Sequence, residues 1–260
     1  MIILTGILLG IGYIFGGITG AFYALVLSFV LNFFSYWYSD KLVLTMYGAR
    51  EITPADNAMI HQMVNDLSEK ARIPKPKIYI INVDVPNAFA TGRNPGHSAI
   101  AVTRGLLRYL EPEEIRGVLS HEISHIKHRD TLIQSIAAVI GGAITWLSYA
   151  FLFGRDRNGY GGLLMVIFAP FVAGMVRMAI SRSREFLADE LGARLTKNPL
   201  GLASALERID KIAKMRPLDI NPSTSHLFIV NPLSSKGLAS LFSTHPPIEE
   251  RIRRLREMKV

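Results

Sequence analysis

The sequence contains no cysteine, which excludes thiolate metal ligands, a thiol nucleophile and disulfides together. Charge is missing from one long stretch, because Met1 to Ser39 holds no Asp, Glu, Lys, Arg or His. That run is longer than the roughly 20 residues one membrane-spanning helix needs. No Lys or Arg precedes it and the first charged residue is Asp40, so the basic flank of a cleaved secretory signal is absent and the segment is expected to stay in the mature chain. Nucleic-acid motifs are lacking too. The net charge of +8 is spread along helices and beside apolar runs, a pattern suited to anionic lipid headgroups rather than to nucleic acid. Internal repeats and low-complexity tracts do not occur.

What the chain does have is apolar bulk. Hydrophobic residues make up 49% of it, enough that part of the surface is expected to face lipid. Gly16, Gly17 and Gly20 divide the first run into two legs, Ile2 to Phe15 and Ala21 to Tyr38, joined by a tight turn; one long tilted helix is the competing reading. Tyr36, Trp37 and Tyr38 suit the lipid–water interface. Two further apolar blocks, Thr131 to Phe153 and Leu163 to Ile180, flank a polar turn from Gly154 to Gly162 and read as a second hairpin. Lys41, Arg50, Lys127, Arg129, Arg177, Arg182 and Arg184 lie at the outer ends of these runs, which the positive-inside rule assigns to the cytoplasm, with Arg155 and Arg157 weakening the bias. The expected organisation is a transmembrane hairpin over 1–39, the first part of a water-facing domain over 40–130, a second membrane hairpin over 131–180 and the second part of that domain over 181–260. Such a chain is multi-pass in the cell membrane, with its water-facing domain toward the cytoplasm.

Between the apolar runs, Thr53-Pro54-Ala55-Asp56 reads as a helix start with Thr53 as N-cap, and the helix stops before Pro74. Lys77 to Val83 and Ser98 to Thr103 read as strands with a short run, Asn87 to Thr91, between them. Glu111-Pro112-Glu113-Glu114 opens a helix that nothing interrupts through Asp130, so it is expected to continue into the third apolar block. The basic cluster Arg251, Arg253, Arg254 and Arg256 reads as one solvated helix face.

The chemistry concentrates in His121-Glu122-Ile123-Ser124-His125. A spacing of four puts both imidazoles on one helix face, a turn apart, where they grip one metal ion, and Glu122 lies beside them to take a proton from metal-activated water. A chance pattern of core or solvated histidines is the alternative. A catalytic zinc usually has three protein ligands and one open position. Glu185 is the candidate third, because the legs from His125 to Gly154 and from Gly162 back to Glu185 are of similar length and an antiparallel hairpin returns it to the zinc level. Asp189, one turn on, is suited to accept the second N–H of a ligand histidine. The competing reading pairs Glu185 and Asp189 with Arg182 and Arg184 on a solvated face.

His121-Glu-Ile-Ser-His125, Ser181-Arg-Ser-Arg-Glu185-Phe-Leu-Ala-Asp189, Asn87-Ala-Phe-Ala-Thr-Gly92 and Thr244-His-Pro-Pro-Ile-Glu-Glu-Arg251 together resemble the HtpX family of membrane heat-shock metallopeptidases, relatives of the prenyl-protein (CAAX) proteases. The resemblance runs nearly the whole chain. It implies a mainly α, α+β architecture: membrane helices plus a gluzincin-like zinc metallopeptidase domain with a small β-sheet, Glu185 as third ligand and one zinc per chain. It also implies peptide-bond hydrolysis of misfolded or membrane proteins. Asn87 and Ala88 are then candidates for holding the substrate backbone, although on its own the segment is an ordinary short strand. His245, ahead of Pro246 and Pro247, is a candidate to support the oxyanion; Arg251 either joins it or anchors the last helix. His128 reads as an interfacial residue, not a fourth ligand, and His61, His97 and His226 have no partner that sequence identifies. Two other proteases compete: a prenyl-protein processing enzyme, and an intramembrane site-2 type, disfavoured by the charges around the motif. A non-catalytic metal-binding membrane protein, such as a transporter, has no need of Glu122.

Overall fold

A computed structural model describes residues 2–37, 39–133, 179–215 and 246–260. The turn 154–162, nearly all of the second apolar hairpin, His226 and His245 lie outside them. The chain divides into two units, one formed by residues 1–38 and 132–180, the other by 39–131 and 181–260.

In the first unit, α1 (Ile2–Trp37) is two helical legs joined at Gly16 and Gly17, whose backbone angles are non-helical and whose second member takes φ 56°. Only glycine adopts that conformation without strain. The legs fold back on each other: the Thr5 and Ser28 hydroxyls meet at 2.6 Å, and a Cβ on Gly20 would lie 2.0 Å from the Gly12 carbonyl oxygen. Leu9 and Ala24 are buried, Ala24 against Gly12 of the other leg, while Ile14, Phe15 and Ile18 stay exposed. The glycine-split hairpin, not the single tilted helix, is the structure this run adopts. The apolar stretch Leu8–Val30, whose composition suits lipid, straddles this turn and so belongs to both legs.

The second unit is built on a four-stranded sheet ordered β1-β2-β4-β3. The strands are β1 (Arg50–Glu51), β2 (Lys77–Ile81), β3 (Ala88–Asn94) and β4 (His97–Thr103). β4 lies parallel to β2 and antiparallel to β3. Its period of two serves both faces: Ile100 and Val102 enter the main core, while Ala99 and Ala101 join Leu44, Ile81 and Phe89 beneath α2 (Ser39–Met46). The main core is closed by α3 (Ala58–Ala71), α4 (Arg104–Tyr109), α5 (Pro112–His128), α7 (Pro199–Met215) and α8 (Ile248–Glu257), through Ile60, Val64, Leu67, Leu106, Leu119, Ile123, Leu206 and Leu255. Helical residues 179–196 form α6.

Local chemistry corrects two sequence expectations. Thr53 does not cap α3. Its N–H and hydroxyl both donate to Asp56, closing a separate turn, and Asn57 is the N-cap that accepts from the Ile60 amide at 3.1 Å. The helix through the histidines does not run on unbroken either. Arg129 takes a left-handed conformation (φ 54°), its N–H closes on the last carbonyls of α5, and a new helical turn starts at Asp130.

Candidate active site

α5 carries His121, Glu122 and His125 on its buried side, and α6 crosses it closely enough that a Cβ on Gly192 would sit 3.2 Å from the His121 amide nitrogen. That approach delivers Glu185. Its carboxylate lies 3.6 Å from the Nε2 atoms of both histidines, which are 3.0 Å from each other. Ligand atoms of the three residues all fall within 4.8 Å of one another, close enough to share one ion.

The outer ring nitrogens decide what this cluster can hold. His121 Nδ1 donates to Asp189 at 2.9 Å and His125 Nδ1 donates to Asp130 at 2.6 Å. Each carboxylate fixes the tautomer and leaves an Nε2 lone pair pointing inward. Two Nε2 atoms facing each other at 3.0 Å beside a carboxylate need a cation between them, a proton when no metal is bound or a metal ion in its place. Two imidazole nitrogens and one carboxylate oxygen fit zinc with a position left open.

Charge is packed densely here. Glu122, Asp130, Glu185, Asp189 and Arg251 are all buried. Arg251, from α8, makes a two-pronged contact with Asp189 at 2.7 and 2.8 Å and reaches Glu185 at 3.2 Å. Burial alone would push the Asp189 carboxyl up, but the Arg251 guanidinium outweighs it and holds the group below the usual carboxylate range. Glu122 goes the other way, raised by burial and by the like charge of Glu185 against the opposing pull of the two histidines and the Ala90 amide. His125 would be lowered by burial; the Asp130 hydrogen bond and the Glu185 and Glu122 charges raise it to about 9.

β3 is an edge strand and runs over this cluster. The Asn87 N–H and C=O are both tied to Thr103, so its backbone faces β4. The Ala90 N–H instead meets the Glu122 carboxylate, so by the alternation of a strand the backbone groups of Ala88 and Ala90 point away from β4, where Ala88 is nevertheless buried.

Of the residues named from sequence, His121, Glu122, His125, Glu185, Asp189 and Arg251 converge, Ala88 lies on the adjoining strand, and His245 falls outside the described residues. Arg251 is not on a solvated face with Arg253, Arg254 and Arg256; it is 1% exposed. Glu185 and Asp189 are likewise no surface pair with Arg182 and Arg184, since Arg251 takes both and Arg184 pairs with Asp130. Sequence reasoning passed over Asp130 and Ala90. The one signal for Asp130 was an acid five residues past a ligand histidine, a spacing that an unbroken helix cannot use.

A frame of helices on a small mixed sheet, with two histidines of one helix and a carboxylate of α6 close enough to share one ion, defines a zinc metallopeptidase of the gluzincin class. Comparison with known proteins narrows this. A protein named as a protease HtpX homolog in Sulfurihydrogenibium sp. (strain YO3AOP1) is 51% identical over 98% of this chain and 93% of its own length. Homologs of the same name from Aquifex aeolicus and Pyrococcus furiosus are 48% and 49% identical, over 98% and 99% of this chain and 89% and 93% of theirs. The fold is shared with the crystal structure of S. mikatae Ste24p, at a TM-score of 0.58 and 18% identity over 90% of this chain, which spans 58% of that longer protein. The model of peptidase family M48 matches residues 54–259, and the chain belongs to that family.

Proposed function

We propose that this enzyme is a membrane-bound zinc endopeptidase in which His121, His125 and Glu185 hold one zinc ion and Glu122 moves the protons of peptide hydrolysis. The observation that carries the reading is the convergence of the three ligand groups within 4.8 Å, with both outer imidazole nitrogens already committed to carboxylates. Zinc bound there supplies a Lewis acid beside the scissile carbonyl and makes water acidic enough to lose a proton near neutral pH. Glu122 is the base for that proton, its raised pKa suiting it to pass the proton on to the leaving amine. Arg251 holds Asp189 and so fixes the His121 ring. His245 remains a proposed support for the oxyanion.

As the edge strand, β3 supports backbone pairing with an extended substrate; Ala88 turns its backbone away from β4 and Asn87 turns its toward it, and both residues are buried, so pairing at Asn87 and Ala88 requires their cover to open. Pairing of this kind reads backbone more than sequence, which suits unfolded or damaged membrane polypeptides and the HtpX relatives named as proteases. The apolar hairpin supports a place in the lipid bilayer of the cell membrane. A multi-pass topology with the catalytic segments toward the cytoplasm follows from the charge bias alone. The test is cleavage of unfolded casein by detergent-purified, zinc-loaded protein against Glu122→Gln. Loss of at least about a hundredfold is expected for a missing general base; equal activity in both would end the proposal.

A further inference from the structure

The two ligand histidines are held by parallel devices. His121 donates to Asp189, which is gripped by Arg251; His125 donates to Asp130, which is gripped by Arg184. Asp189 and Arg251 belong to motifs already legible in the sequence. We propose that Asp130 and Arg184 are a positioning pair that couples the orientation of His125 to the delivery of Glu185, so that the metal site forms from α5 and α6 together. The inference rests on the zinc reading above.

Asp130 lies five residues past His125. In a continuous helix that spacing puts two side chains about 140° apart around the axis. The left-handed residue Arg129 removes the mismatch by ending α5 and turning the chain back, so Asp130 Oδ2 accepts from His125 Nδ1 at 2.6 Å. The other oxygen, Oδ1, is taken by the Arg184 guanidinium. Both oxygens of a carboxylate that is 3% exposed are therefore committed, one to each helix.

Arg184 does more than neutralise a charge. Its Nη2 also donates to the His128 carbonyl at 3.2 Å, satisfying an orphan acceptor in the last turn of α5. The next residue on α6 is Glu185, about 100° further round the helix. One turn of α6 thus presents Arg184 to the end of α5 and Glu185 to its histidines, and a slide or rotation of α6 that withdraws one withdraws the other. His125 would then lose its orienting acceptor as the third ligand left.

The experiment uses the full chain in detergent, stripped of metal and titrated with zinc against a chromophoric chelator. Arg184→Ala and Asp130→Asn should each weaken zinc binding about 10–100-fold. The double variant should be no weaker than the weaker single one, because the two act as one device. Arg184→Lys, which keeps the charge, should recover part of the loss. Cobalt-loaded Asp130→Asn should show altered visible bands, reporting a rotated His125. Arg194→Ala, an exposed residue on the same helix paired with Glu190, should bind zinc as wild type does. If the pair only clamps two helices, the metal-free unfolding midpoint will fall while zinc affinity and cobalt spectrum stay unchanged; that result, or strictly additive losses, overturns the proposal. Should Arg184→Ala not fold, the isosteric Asp130→Asn carries the test. A wild-type protein that takes up no metal would instead overturn the zinc reading on which the pair depends.

Discussion

The N-terminal hairpin and the zinc-site cluster invert the usual partition of residues in opposite directions. In α1, Ile14, Phe15 and Ile18 are 78%, 87% and 84% exposed, and among the described residues of that helix only Leu9, Ala24 and Ser28 are buried. Around α5 lie the three histidine and carboxylate groups that could share a metal ion, with Glu122, two aspartates and an arginine buried beside them. The first arrangement suits a hydrocarbon solvent, where apolar exposure costs nothing. The second is stable only if every buried charge meets an opposite charge, since each unpaired ion costs several kcal/mol. Hydrophobicity of sequence therefore reports the solvent of one region and almost nothing about the other.

The largest effect should come from breaking the charge compensation. Arg251→Ala leaves Asp189 and Glu185 buried without their guanidinium, a loss of about 3–5 kcal/mol for a broken buried pair. Denaturant unfolding of metal-free protein should show it, and added zinc should restore part of the loss by supplying positive charge at Glu185. An unchanged midpoint would mean that the cluster is hydrated rather than paired. On the other side of the comparison, Leu27→Arg puts a charge at a 49% exposed position of the second hairpin leg. A water-facing site would tolerate it, whereas a lipid-facing one should cost about 2.5–3.5 kcal/mol of insertion. The readout is the fraction of protein that resists alkaline extraction from membranes, and wild-type retention would remove the lipid argument.

How much of this was legible depends on whether the signal was local. Gly16 and Gly17 announce the turn in α1 because only glycine takes the conformation found there, and His121, Glu122 and His125 announce the metal helix because their spacing matches its pitch. Glu185 and Asp189, one turn apart, were readable as a pair once a third ligand was sought. Asp130 was not, because its contact depends on a left-handed Arg129 where neither glycine nor proline marks a break. Arg184 and Arg251 were visible as charges, but their partners were not, since the choice between neighbours on a helix and a residue on another helix is made by packing. The same holds for α4, where Thr103 ends a strand and caps a helix at once, accepting from the Leu106 amide at 3.1 Å.

A titration sharpens the zinc half of the contrast. The folded His125 pKa, raised from 6.5 to about 9, means that metal-free protein holds a proton there near neutral pH. That protonation stabilises the metal-free fold fully below pH 6.5, and the contribution is lost as pH rises through about 9. Zinc requires the neutral ring, so it must displace this proton. Apparent zinc affinity should therefore rise between pH 6.5 and 9, by up to about tenfold per pH unit. Calorimetric titration in buffers of different ionisation enthalpy should show a proton released at pH 7; no buffer dependence would mean that His125 is already neutral.

The smallest effect is expected two residues from the largest. Arg253 on α8 contacts Glu250 at 2.7 Å and Glu257 at 3.2 Å, in geometry as good as that of Arg251. Its side chain is 57% exposed, however, so water screens the pairs and solvates whichever carboxylates lose them. Arg253→Ala should leave the unfolding midpoint, zinc affinity and casein cleavage within experimental scatter of wild type. The two arginines share a helix, a residue type and a set of carboxylate contacts, and differ in burial. A loss in Arg253→Ala approaching that of Arg251→Ala would mean that helix anchoring, and not compensation of buried charge, is what the last helix contributes to the site.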